Sequence, residues 1–189
     1  MSIDVRASTP LAADSEPSAW VCRFASLLAP SATVLDVACG GGRHSRYFAG
    51  RGHAVLAVDR DASRLSLLAG IYGIKTQVVD LEGAAWPFGQ QRFGGIVVTH
   101  YLFRPLLPHL INALEPGAIF IYETFAQGQQ ELGRPSNPDF LLRAGELLDC
   151  VRGFCRVVAY EDIFEKSPRP RYVQRICAVR DDQPVPSMG

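Results

Sequence analysis

The sequence predicts an α/β fold in which helices cover both faces of a mostly parallel β-sheet. Short apolar runs of strand length alternate with helical patterns over the first two thirds of the chain. These runs are almost continuously apolar, which is typical of strands that are buried on both faces. Two longer strand-like runs follow near the C-terminus, and the short polar link between them predicts an antiparallel hairpin at the sheet edge.

The parallel part of the sheet is predicted from apolar runs that are bounded by turn-forming residues. In chain order these runs are residues 33–37, 54–58, 76–79, 93–99 and 118–122. The first helical pattern begins at Ser18 and is stopped by Pro30. Further helices are expected at residues 43–50, 62–72, 106–114 and 141–151. In the second of these four, Leu65, Leu67 and Leu68 are expected to face the core. The hairpin strands are expected at residues 155–164 and 172–180.

The 189-residue chain carries 19 basic and 19 acidic residues, and 48% of its residues are apolar. This composition indicates one globular domain, and zero net charge provides no general attraction to nucleic acid or anionic membranes. No apolar run reaches transmembrane length, and residues 1–16 lack the pattern of a signal peptide. The five cysteines form no C-x-x-C pair, so we expect free thiols and a reducing cytoplasm.

The most informative motif is a glycine-rich turn that follows the first predicted strand. Three glycines at residues 40–42 follow Asp36, which lies in that strand, and the next strand ends at a second acid, Asp59. Glycines let the backbone pass close to a ligand, because no Cβ stands in the way. A carboxylate after the second strand is able to bind a ribose diol. Together these features predict a nucleoside pocket.

The turn differs from the dinucleotide-binding fingerprint in two ways. Ser45 stands where the third glycine of G-x-G-x-x-G belongs. Asp36 would repel a pyrophosphate placed over the turn, whereas it would attract a ligand that carries an ammonium group. The arrangement therefore favours an amino-acid-bearing nucleoside, with a nicotinamide-dependent oxidoreductase as the alternative enzyme class.

These residues resemble the first motif of class I S-adenosylmethionine-dependent methyltransferases, whose fold is a Rossmann-like seven-stranded sheet. Further motifs of that family follow in the same order: Asp59, residues 78–81, His100 and residues 115–118. The resemblance covers residues 31–125. It implies S-adenosylmethionine as the cofactor, with the glycines lining its methionine part.

The resemblance also assigns individual contacts. Ala38 stands in place of the family's usual first glycine, Asp59 would bind the ribose, and His100 would face the methyl group. Asp80 would accept a hydrogen bond from the adenine amino group, and the next backbone amide would meet the ring. The residues so assigned to the cofactor are Asp36, Ala38, Cys39, Gly40, Gly42, Asp59, Arg60, Asp80, Leu81 and His100.

Structural roles are open alternatives for several of these residues. Asp59 lies close to Asp61, the expected N-cap of the following helix, and Asp80 can be a turn residue. Cys39 is interpreted as a small apolar filler rather than a nucleophile. Residues 86–88 form a packed loop or bring an aromatic ring near the adenine.

A narrower resemblance concerns the small tellurite-resistance-type methyltransferases. The chain is similar to them at residues 42–45, 79–81 and 143–148. This subgroup implies a small substrate, such as an oxyanion or a thiol. The substrate would lie in a pocket that the C-terminal part of the chain closes.

Substrate groups are expected after the fourth and fifth strands, because ligands of open α/β sheets bind at the carboxyl ends of strands. His100 and Tyr101 follow the fourth strand, and Glu123 and Thr124 follow the fifth. His100 is a candidate catalytic residue that orients a substrate or accepts a proton, or it only packs over the cofactor. Arg104 is the second candidate, which binds an anionic substrate or pairs with an acid on a helix face.

Two C-terminal features are candidates for closing the site. Arg169, Arg171 and Arg175 are able to form an anion-binding lid, although alternate residues of a hairpin face solvent. The loop at residues 128–140 is long enough to be a lid, or it is a plain connector. No metal site is expected, because the four histidines lie on separate elements.

We therefore expect a cytoplasmic enzyme that transfers a methyl group to a small-molecule acceptor, as a monomer or weak homodimer with no membrane partner. A nucleic-acid substrate is disfavoured by the zero net charge and by residues 99–102, which lack the Asn/Asp-Pro-Pro-aromatic run. A non-catalytic cofactor-binding module of the same fold is the alternative outside enzymes.

The expected organisation is a lead-in at 1–16, one domain at 17–181 and a frayed tail at 182–189. Within the domain, residues 31–125 are expected to form the cofactor-binding core and residues 126–181 the substrate-side part.

Overall fold

The computed structural model describes residues 16–83 and 85–181. Within these ranges one seven-stranded sheet is formed by β1 (Thr33–Val37), β2 (Ala54–Asp59), β3 (Ile74–Val78), β4 (Phe93–Thr99), β5 (Leu114–Phe125), β6 (Cys155–Glu165) and β7 (Arg171–Arg180). The α-helices of the same ranges are α1 (Ala19–Phe24), α2 (Arg43–Ala49), α3 (Ala62–Leu65), α4 (Leu107–Asn112) and α5 (Glu146–Val151). Helices and strands thus alternate along the first two thirds of the chain, as predicted.

The strand order across the sheet is β3-β2-β1-β4-β5-β7-β6. The first five of these strands pair in parallel, so that Asp36 of β1 lies opposite Ala57 of β2 and Val97 of β4. β7 pairs antiparallel with both β5 and β6. The predicted mostly parallel sheet with a C-terminal antiparallel hairpin is therefore confirmed, and β6 forms the outer edge.

Two layers of helices cover the sheet, because successive strand residues point to opposite faces. On one face, Val34 and Val97 pack with Trp20 and Phe24 of α1 and with Phe48 of α2. Burying a side chain of the size of Phe48 stabilises the fold by roughly 1.5–3 kcal/mol. This face holds α1 and α2 against the centre of the parallel sheet.

The opposite face has its own apolar core. Leu35 of β1 and Ile96 of β4 belong to a buried cluster that includes Leu110 of α4 and Leu147 of α5. Since both faces of the sheet are buried, the strands are held firmly and their carboxyl ends meet at one fixed edge. That edge carries most of the residues that the sequence assigns to a ligand.

The helix predicted at residues 62–72 is shorter in the structure. α3 ends at Leu65, and a single 3-10 turn continues it to Leu68. Leu65 and Leu68 are buried, but Leu67 is 65% exposed, so its predicted inward orientation is wrong. Gly70 has a φ of +76°, a left-handed conformation that glycine adopts readily and that interrupts a helix.

Two other predicted helices also differ at their ends. A 3-10 turn at Arg104–Leu106 precedes α4, and Leu114, the predicted helix end, is the first residue of β5. α5 begins only at Glu146, whereas Leu142 forms a bridge with Ala126 beside the end of β5. The first residues of the predicted C-terminal helix thus hold a loop against the sheet.

The lead-in predicted for residues 1–16 lies outside the described residues apart from Glu16, and so does the tail predicted for 182–189. In the part of the chain that is described, no helix is long and apolar enough to cross a membrane. All five cysteines lie in this part, and each carries a free thiol.

Candidate active site

Two adjoining cavities lie at the carboxyl ends of the parallel strands. The first encloses about 180 Å³, and we call it the carboxylate cavity; it is lined by Ala38, Asp59, Arg60, Val79, Asp80, Leu81, Glu82 and Tyr101. The second encloses about 250 Å³, and we call it the ring cavity; it is lined by Glu82, His100, Tyr101, Leu102, Thr124, Phe125, Pro135 and Phe140. Glu82 and Tyr101 line both cavities, so the two spaces are neighbours.

The glycine turn after β1 has a backbone conformation that side chains disfavour. Ala38, Gly40 and Gly42 have φ angles of +50°, +55° and +74°. A non-glycine residue held in this region costs about 1–3 kcal/mol, so the surrounding structure must enforce the conformation of Ala38. At Gly42 a Cβ atom would lie 2.4 Å from Cδ1 of Leu68, so the position leaves no room for a side chain.

Asp59 ends β2 and ties this strand to the glycine turn. Its Oδ2 accepts a hydrogen bond of 2.8 Å from the N–H of Gly40, and its Oδ1 accepts one of 2.9 Å from the N–H of Asp61. Each carboxylate oxygen is able to accept a second hydrogen bond, so Asp59 can hold the turn and still bind a ligand hydroxyl. Asp61 caps α3, as predicted, by accepting a hydrogen bond from the N–H of Ser63 at 2.9 Å.

Asp36 lies beneath the turn and does not reach the surface of either cavity. It is 1% exposed, and its Oδ2 accepts a 2.6 Å hydrogen bond from the hydroxyl of Ser45. Burial raises the pKa of Asp36 to about 6, although the hydrogen bond from Ser45 and the charge of Arg43 act in the opposite direction. Since Asp36 contacts Ser45 and lines neither cavity, direct attraction between its carboxylate and a ligand ammonium group stays a prediction.

The segment after β3 forms the opposite wall of the carboxylate cavity. The N–H of Val79 donates to the carbonyl of Asp59 at 2.9 Å, which keeps the acidic ends of β2 and β3 side by side. Oδ1 of Asp80 accepts a 3.0 Å hydrogen bond from the N–H of Glu82, and Leu81 between them is buried. Asp80 is thus a turn residue and a cavity residue at once.

Packing explains two of the residues for which alternatives were open. Cys39 donates its N–H to the carbonyl of Val58 at 2.9 Å, and burial raises the pKa of its thiol, which keeps the thiol protonated. Trp86 stacks on His109 with ring centroids 5.6 Å apart and meets Phe88 edge-on at 4.8 Å. Neither Cys39 nor Trp86 lines one of the two cavities.

His100 lies on the wall of the ring cavity, between two arginines. Its Nδ1 is 3.5 Å from Nη2 of Arg43, and its Nε2 is 3.5 Å from Nη1 of Arg171. The imidazole stacks on Phe125, with centroids 5.2 Å apart and an interplanar angle of 18°. The backbone N–H of His100 donates to the carbonyl of Glu123 at 2.9 Å. These contacts hold the imidazole in one orientation, against the ring cavity rather than the carboxylate cavity.

Tyr101 separates the two cavities and carries an unsatisfied hydroxyl. This oxygen is buried, and no group in residues 16–83 or 85–181 has the full geometry of a hydrogen bond with it, although the carboxylate of Glu82 lies close enough to raise its pKa. Such an unmade bond costs about 1–3 kcal/mol. Burial and the charges of Glu82 and Asp80 raise the pKa of Tyr101, so the hydroxyl stays neutral. The hydroxyl of Tyr122 donates to the carbonyl of Tyr101 at 2.7 Å and anchors this segment.

Arg104, the second predicted catalytic residue, lines neither the carboxylate cavity nor the ring cavity. Its Nε and Nη2 donate to the two carboxylate oxygens of Glu146 at 2.7 and 3.0 Å. Nη1 donates to the carbonyl of Asp139 at 2.7 Å, and Nη2 also donates to that of Leu141 at 2.8 Å. The alternative role expected for Arg104, pairing with an acid on a helix face, is therefore the one present: this guanidinium group fastens a loop to α5 instead of facing either cavity.

Arg175 belongs to an ion-pair network inside the sheet rather than to a lid. The buried carboxylate of Glu123 accepts hydrogen bonds from the hydroxyl of Ser18 at 3.0 Å and from Nη1 of Arg175 at 3.2 Å. Arg175 also pairs with Glu161 at 2.6 Å and with Glu165 at 3.3 Å. Because these acids occupy its guanidinium group, the lid role predicted for Arg175 is corrected.

The other two arginines of the predicted lid differ from each other. Arg171 pairs with Glu165 and also approaches His100, so it lies next to the ring cavity without lining it. Arg169 is exposed in the link between β6 and β7. The structure therefore brings one of the three predicted arginines beside the site.

The loop at residues 128–140 supplies Pro135 and Phe140 to the wall of the ring cavity. Gln129, near the start of this loop, accepts a 3.0 Å hydrogen bond from the N–H of Tyr172 on β7. The loop is thus tied to the hairpin at one end and, through Arg104, to α5 at the other. It encloses the ring cavity on its outer side.

Sequence reasoning missed three residues of this region. His44 is buried, its Nε2 accepts a 3.1 Å hydrogen bond from the N–H of Ser18, and burial lowers its pKa to about 3. Glu82 lines both cavities, and its position two residues after Asp80 was a usable signal. Phe140 lies in the loop predicted as a lid but was not singled out there, because its place depends on how that loop folds back.

Residues 34–117 match the model of the family described as a methyltransferase domain. Residues 34–117 therefore form a methyltransferase domain. S-adenosylmethionine-dependent methyltransferases are among the solved structures that share its fold. The match covers β1 to β4 and the beginning of β5, and so includes the glycine turn, Asp59, Asp80 and His100. No curated protein sequence matches the chain significantly.

Solved structures share the fold of this methyltransferase at low sequence identity. TehB of Haemophilus influenzae aligns with a TM-score of 0.71 and 18% identity over 85% of this chain and 61% of its own, so this chain spans about three fifths of TehB. A TehB-like methyltransferase from Corynebacterium glutamicum aligns with a TM-score of 0.64 and 20% identity over 90% and 92% of the two chains. The 1,6-didemethyltoxoflavin-N1-methyltransferase of Burkholderia thailandensis, solved with 1,6-didemethyltoxoflavin and S-adenosylhomocysteine bound, aligns with a TM-score of 0.60 and 20% identity over 84% and 75%.

Proposed function

We propose that this methyltransferase transfers a methyl group to a small molecule that binds in the ring cavity. The observation that carries the proposal is the pair of adjoining cavities at the carboxyl ends of the strands. One is lined by Asp59 and Asp80, and the other by aromatic rings. Because Glu82 and Tyr101 line both, ligands in the two cavities would be neighbours.

The carboxylate cavity fits the cofactor. Asp59 retains the capacity to accept hydrogen bonds from ribose hydroxyls, and Asp80 with Leu81 forms a wall suited to the adenine. Ala38 brings only a methyl group to the surface, which leaves the backbone of the glycine turn open to the methionine part. Arg60 lies on the same wall, whereas His100 lies on the acceptor side. We therefore assign His100 to the acceptor.

When bound, S-adenosylmethionine supplies an electrophilic methyl carbon that takes a lone pair from the acceptor, while the electron pair of the broken S–C bond stays on sulfur. The residues of this chain have to orient the acceptor and exclude water. Proximity and orientation contribute roughly 7–11 kcal/mol to reactions of this kind. His100, fixed on Phe125, provides an oriented wall, and Phe140 with Pro135 covers the outer side.

The properties of the ring cavity support a small acceptor rather than a polymer. It encloses about 250 Å³, and among its described lining residues there is no lysine or arginine to hold a phosphate backbone. The Burkholderia thailandensis structure holds a small heterocyclic molecule in a related fold.

We also propose that residues 17–181 act as one domain, as a monomer or weak homodimer, and that the free thiols belong to a reducing cytoplasm.

The test begins with calorimetry of the chain against S-adenosylhomocysteine, followed by mass spectrometry of small molecules incubated with S-adenosylmethionine. We expect binding, and we expect Asp80→Asn to weaken it about tenfold through the loss of one charged hydrogen bond. Asp61→Asn is the matched control, since Asp61 caps α3 and lines neither cavity. No binding by the native chain overturns the proposal, and binding without methyl transfer to any small molecule identifies a non-catalytic module.

A further inference from the structure

We propose that the methyl acceptor is a planar aromatic molecule with a hydroxyl or amino group, and that Glu82 selects for this hydrogen-bond donor. The inference rests on the proposed function and names the class of substrate that the ring cavity accepts. It departs from the oxyanion or thiol that the tellurite-resistance-type resemblance implies. Its basis is the combination of flat side chains and a single acid on one cavity wall.

Flat side chains make up four of the eight described residues that line the ring cavity. Tyr101, Phe125 and Phe140 contribute aromatic rings, and the imidazole of His100 lies nearly parallel to the phenyl ring of Phe125. Phe140 is 48% exposed although its side chain is large and apolar. An aromatic pair contributes attraction beyond the burial of its area. A planar ring is therefore the ligand that gains most from these walls.

The polar groups on the same walls match a hydrogen-bond donor. Glu82 is the acid of this cavity, and its backbone is held in place by the hydrogen bond to Asp80. A carboxylate accepts hydrogen bonds from O–H and N–H groups, whereas it repels an anion. The buried hydroxyl of Tyr101, which has no partner in the described parts of the chain, lies beside the charge of Glu82. A ligand hydroxyl or amino group at this place would satisfy both.

The nearest cations do not reverse this preference. Arg43 and Arg171 each lie 3.5 Å from a nitrogen of His100, but neither lines the ring cavity. Arg171 is also neutralised by Glu165, with which it forms an ion pair. An oxyanion in the cavity would therefore face the charge of Glu82 without a lysine or arginine among the described lining residues.

An acceptor of this class also accounts for every proton. A phenol oxygen or an aromatic amine nitrogen supplies the lone pair for the new bond to carbon. The proton that this atom loses passes to the carboxylate of Glu82 and then to solvent, since Glu82 is exposed. Because Glu82 lines both cavities, its carboxylate lies beside the place where the two ligands adjoin.

The test is calorimetry of the full chain saturated with S-adenosylhomocysteine against four probes. 2-Naphthol has the ring and the donor, 2-methoxynaphthalene lacks the donor, 2-decalol lacks the flat ring, and selenite is an oxyanion. We expect 2-naphthol to bind about tenfold more tightly than each other probe, the factor that about 1.4 kcal/mol provides. Mass spectrometry with S-adenosylmethionine should then detect 2-methoxynaphthalene as the product.

Variants assign the preference to the two proposed determinants. Phe140→Ala should weaken 2-naphthol binding about tenfold by removing one ring contact, without changing the affinity for S-adenosylhomocysteine. Phe154→Ala is the matched control, because Phe154 is a similarly exposed ring that lines neither of the two cavities. Glu82→Gln keeps a hydrogen-bond acceptor but removes the charge, so it should bind selenite more tightly than the native chain does.

The outcomes separate the two proposals. If selenite binds as tightly as 2-naphthol, if the methoxy compound binds equally well, or if Phe140→Ala leaves naphthol binding unchanged, the acceptor class proposed here is wrong. Each of these results requires a chain that binds S-adenosylhomocysteine, so the proposed function survives it. A chain that does not bind S-adenosylhomocysteine overturns the proposed function, and the inference falls with it.

Discussion

The carboxylate of Asp59 joins the end of β2 to the turn after β1 through a 2.8 Å hydrogen bond from the N–H of Gly40. The acid proposed to bind the ribose therefore also supports the turn proposed to hold the methionine part. Two portions of the cofactor site depend on one side chain. Two substitutions of Asp59 that leave different numbers of hydrogen-bond acceptor atoms in its side chain separate its support of the turn from its proposed binding of the ribose.

We predict that Asp59→Ala and Asp59→Asn differ in their free energies of unfolding but that both bind S-adenosylhomocysteine more weakly than the native chain does. The alanine variant leaves the N–H of Gly40 without its carboxylate partner, so its free energy of unfolding should fall by about 1–3 kcal/mol. The asparagine variant keeps one acceptor oxygen and should lose less. Both should bind S-adenosylhomocysteine at least about tenfold more weakly, as one lost charged hydrogen bond implies.

Urea unfolding and calorimetry measure the two quantities for each variant. Asp61→Asn serves as the control, because Asp61 lies on the same loop and caps α3 instead of facing the cavity. A folded Asp59→Asn variant with native affinity for S-adenosylhomocysteine would show that Asp59 has only a structural role.

A substitution at Gly42 tests whether the turn requires a residue without a side chain at this position. In Gly42→Ala the new Cβ would meet Leu68 at 2.4 Å and would also carry the strain of a φ of +74°. We expect a loss of about 2–5 kcal/mol in the free energy of unfolding, from overpacking and left-handed strain together. Gly52→Ala is the matched control, since Gly52 has a φ of +89° with no atom within 4 Å of its Cβ position.

The control should lose only about 1–2 kcal/mol, the cost of the left-handed conformation alone. Chemical denaturation of both variants gives the difference. Equal losses in the two variants would show that the contact with Leu68 relaxes and that steric exclusion does not explain the glycine at position 42.

Arg104 is expected to act on the acceptor side through the loop that it holds. Arg104→Met leaves the buried carboxylate of Glu146 with Arg143 as its donor, and it removes the Arg104 donor from the carbonyls of Asp139 and Leu141. We expect a loss of about 1–3 kcal/mol in the free energy of unfolding, since the pair is partly exposed to solvent. KM for the acceptor should rise because Phe140, which lines the ring cavity, belongs to this loop. The affinity for S-adenosylhomocysteine should not change.

Arg104→Lys restores a charge but not the forked geometry, so it should recover the defect only in part. Steady-state kinetics and calorimetry separate the effects on acceptor and cofactor. A variant that loses turnover at saturating acceptor while its KM stays native would instead support the catalytic role predicted from the sequence.

The strands and the carboxylates that line the first cavity were predictable because local patterns determine them. The run at Thr33–Val37 is apolar on both faces, and its strand has the predicted bounds. The acids Asp59 and Asp80 end neighbouring parallel strands, so topology alone brings them to one edge. The glycine turn was recognisable because its conformation excludes most side chains.

The remaining errors come from contacts that are distant in sequence. Arginine is a residue type that commonly binds anions, but the carboxylate that pairs with Arg104 belongs to Glu146, which is 42 residues away in the sequence. Arg175 was similarly indistinguishable from a surface arginine until β7 placed it between Glu123 and Glu161. Leu67 follows the helical spacing of its neighbours, yet α3 ends at Leu65 and the 3-10 turn that follows leaves Leu67 exposed.

Asp36 should make the stability of this methyltransferase depend on pH in a direction opposite to that of most native carboxylates. Burial raises its pKa from 3.8 to about 6, so the native state holds the proton more tightly than the unfolded chain does. The corresponding stabilisation is complete below the unfolded value of 3.8 and is lost as the pH rises through about 6. Asp36→Asn stays neutral at every pH and still offers an oxygen to Ser45.

The free energy of unfolding of Asp36→Asn, minus that of the native chain, should therefore increase between about pH 4 and about pH 7, by up to about 3 kcal/mol. Taking this difference removes the contribution of other titrating groups, including the buried His44. Ser45→Ala provides a second check: its hydroxyl lowers the pKa of Asp36, so removing it should shift the transition to higher pH. Urea titrations across this range measure both effects, and a difference that stays constant with pH would mean that Asp36 titrates at its ordinary value because water reaches it.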